Sequence, residues 1–339
     1  MKLLNLKSNL KSNLKSNLKS IVLTTVLILS GCSSPLQAGC EPDRSGNIID
    51  LGDGQCQSLP GEAVKSPPST TQTFLWKAES AQNVVYLLGS VHFLSEDQYP
   101  LPEPMQAAFE EAEGLVFELD LGTLNGFESQ QIILEKAQPE PGETLAALSP
   151  TVYQAAVDKA TEIGLPIELF DPLEPWFFTL TLLPFELQKL GFKAEYGIDQ
   201  YFFSQAVAES KEILSLETLT DQINLFESLS IQEQESLLLQ TLADLKTTET
   251  LLTELVSAWL VGDTVQFAHI SLDSFRNHPQ LQQTFLTDRN LNWLGTIESL
   301  FDRHQDYLVI VGAAHLVGEQ GLVQLLNDRG YQFEQVQVP

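Results

Sequence analysis

The 339-residue chain has little cysteine, little histidine and few cations. Its three cysteines, Cys32, Cys40 and Cys56, lie within the first 56 residues and form no CxxC pair, which argues against thiol catalysis, redox chemistry and a zinc knuckle. The sequence also lacks GxGxxG, Walker A, GxSxG and HExxH patterns. Dinucleotide-binding, phosphate-cradling and serine-hydrolase functions are therefore excluded.

Cations are scarce, with 18 Lys and Arg against 45 Asp and Glu and a net charge of −27. Five of the lysines fall in the first twenty residues, where there are no acids. With 13 cations left against the 45 acids, the chain beyond residue 31 has a net charge of −32. Such a surface repels phosphate backbones, so nucleic acid is excluded as a partner, and a neutral or electropositive substrate is favoured.

Residues 1–31 have the pattern of a signal peptide. Four copies of Asn-Leu-Lys-Ser precede an apolar run, Ile21 to Leu29, which is far shorter than the ~20 residues that span a bilayer. The next residues end in Leu29-Ser30-Gly31-Cys32, which resembles a bacterial lipobox with Cys32 as the lipidated residue. The alternative is an ordinary cleaved signal. The lipobox predicts an exported protein, anchored by lipid to the bacterial cell envelope.

Residues 32–70 are rich in Ser, Pro, Gly and Gln, which is typical of a flexible tether. Cys40 and Cys56 lie in this segment. Because export leads to an oxidising compartment, a Cys40–Cys56 disulfide is expected there.

Residues 71–339 alternate apolar strand-like runs with helical patterns. This alternation predicts an α/β fold, a mostly parallel open sheet flanked by helices, with the helical block from about 218 to 303 as an insertion or cap. The predicted strands are Val84–Leu88, Leu115–Leu119 and Tyr307–Val311, with weaker candidates at Ile167–Phe170, Ile213–Leu216 and Phe333–Val338. The predicted helices are Pro104–Ala112, Pro150–Ile163, Pro175–Leu190, Ile198–Ser210 and Gly318–Arg329.

Two of these strands end in the same Gly-x-x-His pattern, which places His92 and His315 just beyond the sheet. Ligands of such sheets bind at the carboxyl ends of the strands. An imidazole held there on a rigid element suits a metal ion or a general base. The alternative is that both histidines only stabilise tight turns. A Glu follows each histidine by four residues, at Glu96 and Glu319, whereas His269, His278 and His304 are expected to be solvated.

Carboxylates occupy comparable positions. Glu118 interrupts an apolar strand, where a buried carboxylate must be paired or bound to metal, unless the strand is a half-exposed edge. Glu217 ends another predicted strand and either joins the site or favours the start of the next helix. Two His with one or two carboxylates form a ligand set suited to a divalent metal, and a further carboxylate could act as general base on a bound water.

Three further polar residues are candidates. Asp199 at a helix entry is interpreted as an N-cap rather than a catalyst. Arg289, followed by Asn290, could bind a substrate carboxylate or stabilise an oxyanion, although a surface ion pair would serve equally well as an explanation.

Taken in order, these motifs resemble the TraB/GumN family over about residues 71 to 339. The motifs are Leu-Leu-Gly-Ser-Val-His92, Tyr99-Pro-Leu-Pro, Phe-Glu118-Leu-Asp, Tyr-Gly-Ile-Asp199-Gln-Tyr, Leu-Glu217-Thr, Asp-Arg289-Asn290-x-x-Trp293 and Val-Gly-Ala-Ala-His315-Leu-Val-Gly. That family is similar to the Tiki proteins, described as metal-dependent proteases of Wnt, and to bacterial proteins that dampen peptide pheromones. More distantly it resembles a fold that includes haem-binding lipoproteins and erythromycin esterase.

The resemblance implies a metallohydrolase centre. His92 and His315 would be ligands of a divalent Mn, Co or Zn ion, Glu118 a ligand or base, and Glu217, Arg289 and Asn290 would line the site. The leading hypothesis is a membrane-tethered metal-dependent hydrolase acting on a peptide or protein substrate. The alternatives are an envelope lipoprotein that binds or sequesters a peptide, metal or haem without turnover, and a scaffold whose histidines only stabilise turns.

Overall fold

The computed structural model describes residues 49–50, 56–57, 72–124, 127–273, 275–276 and 278–338. The predicted signal peptide, Cys32 and Cys40 lie outside the described residues. Two short antiparallel strands, β1 (Ile49–Asp50) and β2 (Cys56–Gln57), fall within the predicted tether. The side chain of Cys56 is not described, so the Cys40–Cys56 disulfide stays a prediction.

A six-stranded sheet forms the centre of the domain, in the spatial order β6-β5-β7-β4-β3-β8. Its strands are β3 (Gln72–Glu79), β4 (Val84–Ser90), β5 (Gly114–Leu119), β6 (Glu212–Glu217), β7 (Tyr307–Gly312) and β8 (Glu334–Gln337). Strands β6, β5, β7 and β4 run parallel, while β3 pairs antiparallel with both β4 and β8. The predicted mostly parallel open sheet in an α/β fold is confirmed.

The strongest apolar runs became the interior strands. Every residue of β5 and β7 is buried, as continuous rather than alternating hydrophobicity predicts. Strand β6 lies at one edge of the sheet, and its residues are half-buried or exposed. The predicted strand Ile167–Phe170 is wrong, because Ile167–Leu169 forms a single 3-10 turn directly after Pro166. Strand β3 was not predicted from the sequence, since its residues mix polar and apolar types.

Helices cover the sheet and fill the connections between its strands. They are α1 (Glu103–Glu111), α2 (Phe127–Lys136), α3 (Pro150–Ile163), α4 (Pro175–Lys189), α5 (Ile198–Glu209), α6 (Leu219–Glu227), α7 (Ile231–Asp244), α8 (Thr248–Leu260), α9 (Thr264–Asp273), α10 (Pro279–Gln282), α11 (Asp288–Leu300) and α12 (Leu322–Asn327), with a π-helical turn at Gln283–Thr287. The predicted helical block is thus confirmed as α6 to α11. Among the described residues, no helix is long and apolar enough to cross a membrane.

Two buried contacts hold the helical cap, one against a strand and one against helix α4. In α8, the indole Nε1 of Trp259 donates a hydrogen bond of 2.7 Å to the carbonyl oxygen of Gly89 in β4. In α7, the buried Gln234 accepts from the backbone N–H of Trp176 at 3.1 Å and donates to Glu174 at 2.8 Å, which ties α7 to α4. The cap therefore has a defined position above the carboxyl edge of the sheet.

Candidate functional site

His92 is held by an ion pair at the carboxyl end of β4. Its Nδ1 lies 2.9 Å from Oδ1 of Asp199, and the hydroxyl of Ser90 donates to the same oxygen at 3.0 Å. Burial by itself would lower the pKa of His92, but the charge and hydrogen bond of Asp199 outweigh burial and raise it. Burial by itself would raise the pKa of Asp199, but the charge of His92 outweighs burial and lowers it.

Asp199 therefore orients a histidine instead of capping a helix. The N-cap of α5 is Gly197, and Asp199 lies in the first turn of the helix, two residues beyond the cap. Gly197 lies directly against the end of β4, since a Cβ on it would stand 2.3 Å from the carbonyl oxygen of His92. The glycine lets α5 begin close enough for its second residue to reach the imidazole.

The other nitrogen of His92 is free. Nε2 is buried and makes no hydrogen bond within the described residues. A Cβ built on Gly312, at the end of β7, would lie 3.5 Å from this Nε2, 3.5 Å from Cδ2 of His315 and 3.2 Å from Oε1 of Glu118. Both histidines and this carboxylate thus meet around one glycine.

His315 is neutral. Its Nε2 lies 3.0 Å from Nη1 of Arg289, and because a guanidinium only donates, Nε2 must accept. The Nδ1 proton is then donated to Oδ1 of Asn290 at 2.6 Å. Burial, followed by the charge of Arg289, holds the pKa of His315 well below its usual value. Asn290 in turn donates to the carbonyl oxygens of His315 and Gln320, at 3.3 and 2.7 Å.

Arg289 joins the two predicted carboxylates. Its Nη2 donates to Glu118 at 2.5 Å and to Glu217 at 2.9 Å, and its Nε donates to Glu217 at 3.0 Å. Glu118 also accepts the N–H of Gly312 at 2.6 Å, and Glu217 accepts the indole N–H of Trp293 at 2.9 Å. These partners, together with the interior position of β5, exclude an edge-strand explanation for Glu118 and a helix-start explanation for Glu217.

A surface ion pair is likewise excluded for Arg289, which is 4% exposed. Burial alone would lower its pKa, but the charges of Glu118 and Glu217 outweigh burial and raise it. Its Nη1 also donates to the carbonyl oxygen of Phe285 in the π-helical turn, at 3.3 Å. All five guanidinium N–H groups therefore have acceptors.

This arrangement bears on one expectation. Arg289 could bind a substrate carboxylate or, like Asn290, stabilise an oxyanion, and in the structure the N–H groups of both side chains have acceptors within the protein. In this arrangement Arg289 can act on a substrate through its charge, and Asn290 acts by orienting His315.

Part of the donor set at the site has the orientation expected of ligands of a divalent metal ion. Each histidine donates or shares its Nδ1 proton with an oxygen, Asp199 for His92 and Asn290 for His315, which is how metal-binding histidines are oriented so that Nε2 faces the ion. The buried Nε2 of His92 has no hydrogen-bond partner among the described residues and could therefore serve as a ligand. Within the described ranges, no three His, Cys, Asp or Glu side chains are arranged to enclose an ion, and the Nε2 of His315 lies against Nη1 of Arg289. An ion would have to compete with Arg289 for that nitrogen.

Other sequence candidates lie elsewhere. Glu96 and Glu319, which follow the histidines by four residues, are exposed, as are His269 and His304. His278, which the sequence predicts to be solvated, is half-buried and lines the cavity above the site. Ser90 and Trp293 contact site residues without having been assigned a role from sequence, and their residue types carry no signal that would have identified them.

A cavity of about 170 Å³ lies between this cluster and the cap. Its floor consists of the strand-end groups His92, Glu118, Gly312 and His315 together with Arg289 of α11. Its walls and roof come mainly from apolar side chains of α4, α7, α8, α9 and the π-helical turn. The cluster therefore faces a space that can hold a ligand.

The neutral state of His315 predicts a pH effect. Because the pKa of His315 is lowered in the folded protein, the unfolded chain binds a proton at this residue at a higher pH than the folded protein does. Proton binding therefore favours unfolding, and stability falls as the pH drops below ~6.5. We expect His315→Gln to remove this loss, so that between pH 7 and pH 5 the variant loses about 2 kcal/mol less of its free energy of unfolding than the parent does. Urea unfolding at both pH values measures the difference.

The quantity compared is the change in the free energy of unfolding between the two pH values. Because the pKa of His92 is raised, this residue stabilises the protein more as the pH falls, and it does so in the parent and in the variant alike. His304→Gln, at an exposed side chain, is the matched control and should follow the parent. Equal acid losses in the parent and in His315→Gln would contradict a neutral His315.

The fold and the site together define an α/β protein with a buried cluster of histidine, glutamate and arginine at the carboxyl edge of a parallel sheet, beneath a helical cap. The chain belongs to the TraB/PrgY/gumN family, whose profile matches residues 74–335. The family resemblance read from the motifs is thereby confirmed.

Two relatives illustrate the reach of this similarity. The chain is 29% identical over 246 residues to the uncharacterized protein YbaP of Escherichia coli (strain K12), which covers 71% of this chain and 87% of that protein. It is 22% identical over 290 residues to an uncharacterized protein of Treponema pallidum (strain Nichols), covering 81% of this chain and 86% of that one. No solved structure matches the chain.

Proposed function

We propose that this protein is a metal-dependent hydrolase that cleaves peptide bonds. One observation carries the proposal: the unsatisfied, buried Nε2 of His92 lies with Glu118 and His315 around Gly312, on the floor of a cavity. A buried polar atom without a partner is costly, so its persistence beside a ligand-sized space points to a bound group.

Each residue has a distinct role in this proposal. His92 and His315 would hold Mn²⁺, Co²⁺ or Zn²⁺ through Nε2, with Glu118 as the carboxylate ligand. When bound, the ion would polarise the substrate carbonyl and lower the pKa of a water molecule. Glu118 or Glu217 would carry the proton from water to the leaving amine. Arg289 would balance the charge of both carboxylates.

The proposal extends to the location of the protein. Lipidation of Cys32 would tether the domain to a membrane of the bacterial cell envelope, with residues 32–70 as the spacer. The substrate would then be an exported peptide or protein, and the acidic surface would favour one that is neutral or electropositive.

Metal binding is the first test. We expect the full chain, carrying Cys32→Ser so that it stays free of lipid, to bind close to one equivalent of Mn²⁺, Co²⁺ or Zn²⁺ by titration calorimetry and elemental analysis. His92→Ala/His315→Ala should bind none while keeping a folded circular dichroism spectrum. The matched control is His269→Ala/His304→Ala, which removes two exposed histidines and should bind like the parent. A folded parent that binds no ion contradicts the proposal.

Turnover is the second test, and it separates the enzyme from a binding protein. A protein that sequesters a ligand without cleaving it is the alternative, favoured by the fact that Arg289 neutralises both carboxylates in the structure. For a hydrolase, Glu118→Gln should abolish cleavage of a peptide library while the protein stays folded. Ligand capture without cleavage, unchanged in Glu118→Gln, would support the binding protein instead.

A further inference from the structure

The lining of the cavity above its floor is mainly apolar, with a smaller polar part made of Gln240, Thr241, Asp244, Thr248 and His278. Besides Leu187 of α4, the lining includes Leu237 from α7, Leu252 and Leu255 from α8, and Phe285 from the π-helical turn. Leu252 and Leu255 are half-buried, so this part of the lining reaches the surface. An apolar wall over a few convergent polar groups is the usual form of a site for a small apolar group.

The volume of the cavity limits what it can hold. At about 170 Å³ it is close to the ~150 Å³ cavity that accepts a benzene molecule. One aromatic ring or one branched aliphatic side chain fits such a space.

The charges around the cavity exclude an acidic occupant. Among the described lining residues, Arg289 is the one Lys or Arg, and all of its N–H groups already have acceptors. Asp244 of α7 adds a carboxylate to the lining. A carboxylate from a ligand would therefore find no unused N–H donor among the Lys and Arg side chains of this lining, and burying a charge without such a donor is costly.

We infer that this cavity binds one large uncharged side chain of a peptide, of leucine or phenylalanine size, and so sets the specificity of the site. Because His92, Glu118 and His315 form the floor, the side chain would lie beside the bond that is attacked. This inference rests on the proposed hydrolase for the position of the bond. The binding of an apolar group does not depend on turnover.

A binding experiment tests the cavity without any catalysis. Toluene is titrated into the full chain carrying Cys32→Ser, and the melting temperature Tm is followed by circular dichroism, with benzoate and hexadecanoate as probes of charge and length. At a tenfold excess over Kd, toluene should raise Tm on the order of 3 °C. Benzoate and hexadecanoate should leave Tm unchanged.

Two matched tryptophan variants locate the binding. Leu252→Trp fills the cavity and should abolish the toluene shift. Leu239→Trp makes the same change at an exposed leucine of α7 that does not line the cavity, and should keep the shift. If Leu252→Trp does not fold, Thr241→Phe introduces an aromatic ring into the lining from α7.

The outcomes are distinct. The inference is overturned if toluene does not raise the Tm of the folded parent. It is also overturned if toluene still raises the Tm of folded Leu252→Trp, or if benzoate or hexadecanoate binds the parent as well as toluene does. If toluene binds but no peptide is cleaved, the hydrolase fails and the cavity stands. If cleavage occurs, peptides with Leu or Phe at one position should exceed those with Ala in kcat/KM by at least about tenfold, and no preference would overturn the specificity.

Discussion

Replacing Arg289 by methionine is expected to lower the free energy of unfolding by about 3–5 kcal/mol, the usual cost of removing one partner from a buried ionic network. The substitution preserves much of the side-chain volume but leaves Glu118 and Glu217 buried without their counter-ion. It also removes the donor to Nε2 of His315. Urea unfolding of the parent and variant at pH 7 measures the loss.

Two further variants test the electrostatic cause. Arg276→Met makes the same change at an arginine that is 67% exposed and paired with Asp273, so we expect it to cost less than about 1 kcal/mol. Adding Glu118→Gln and Glu217→Gln to Arg289→Met removes the uncompensated charges, and this triple variant should be more stable than Arg289→Met alone. A triple variant that is less stable than Arg289→Met would contradict this explanation.

Gly197→Ala is expected to destabilise the protein by about 3 kcal/mol through overpacking against the backbone. Its Cβ would lie 2.3 Å from the carbonyl oxygen and 2.8 Å from the carbonyl carbon of His92, and neither atom can rotate away. The start of α5 must then move from the end of β4. The displacement would separate Asp199 from His92, so metal binding should weaken as well.

The control for this variant is Gly295→Ala in α11, where an added Cβ meets nothing within 4 Å. Because alanine is the better helix former, Gly295→Ala should be neutral or stabilise by up to about 1 kcal/mol. Denaturant unfolding of both variants, with a metal titration of each, provides the comparison. A Gly197→Ala protein with the stability and metal affinity of the parent would show that α5 does not need to approach His92 this closely.

The sequence was sufficient to predict the centre of the sheet and the main side chains at its edge. The apolar runs of β4, β5 and β7 are continuous, and a continuous run has a single outcome in a sheet covered on both faces, which is burial. The Gly-x-x-His pattern after β4 and β7 then places His92 and His315 at the same edge, because parallel strands end together. The position of Glu118 near the end of β5 places its carboxylate at the same edge.

Only the tertiary structure decided how these groups are paired. Arg289 reaches Glu118 across 171 residues of sequence, and Asp199 reaches Ser90 across 109, distances over which local periodicity carries no information. The same holds for the apolar cavity, whose walls come from α4, α7, α8 and α9 and become neighbours only when the cap folds over the sheet. Sequence pattern determines which residues are buried and on which edge they lie, whereas packing between distant segments determines which donor meets which acceptor.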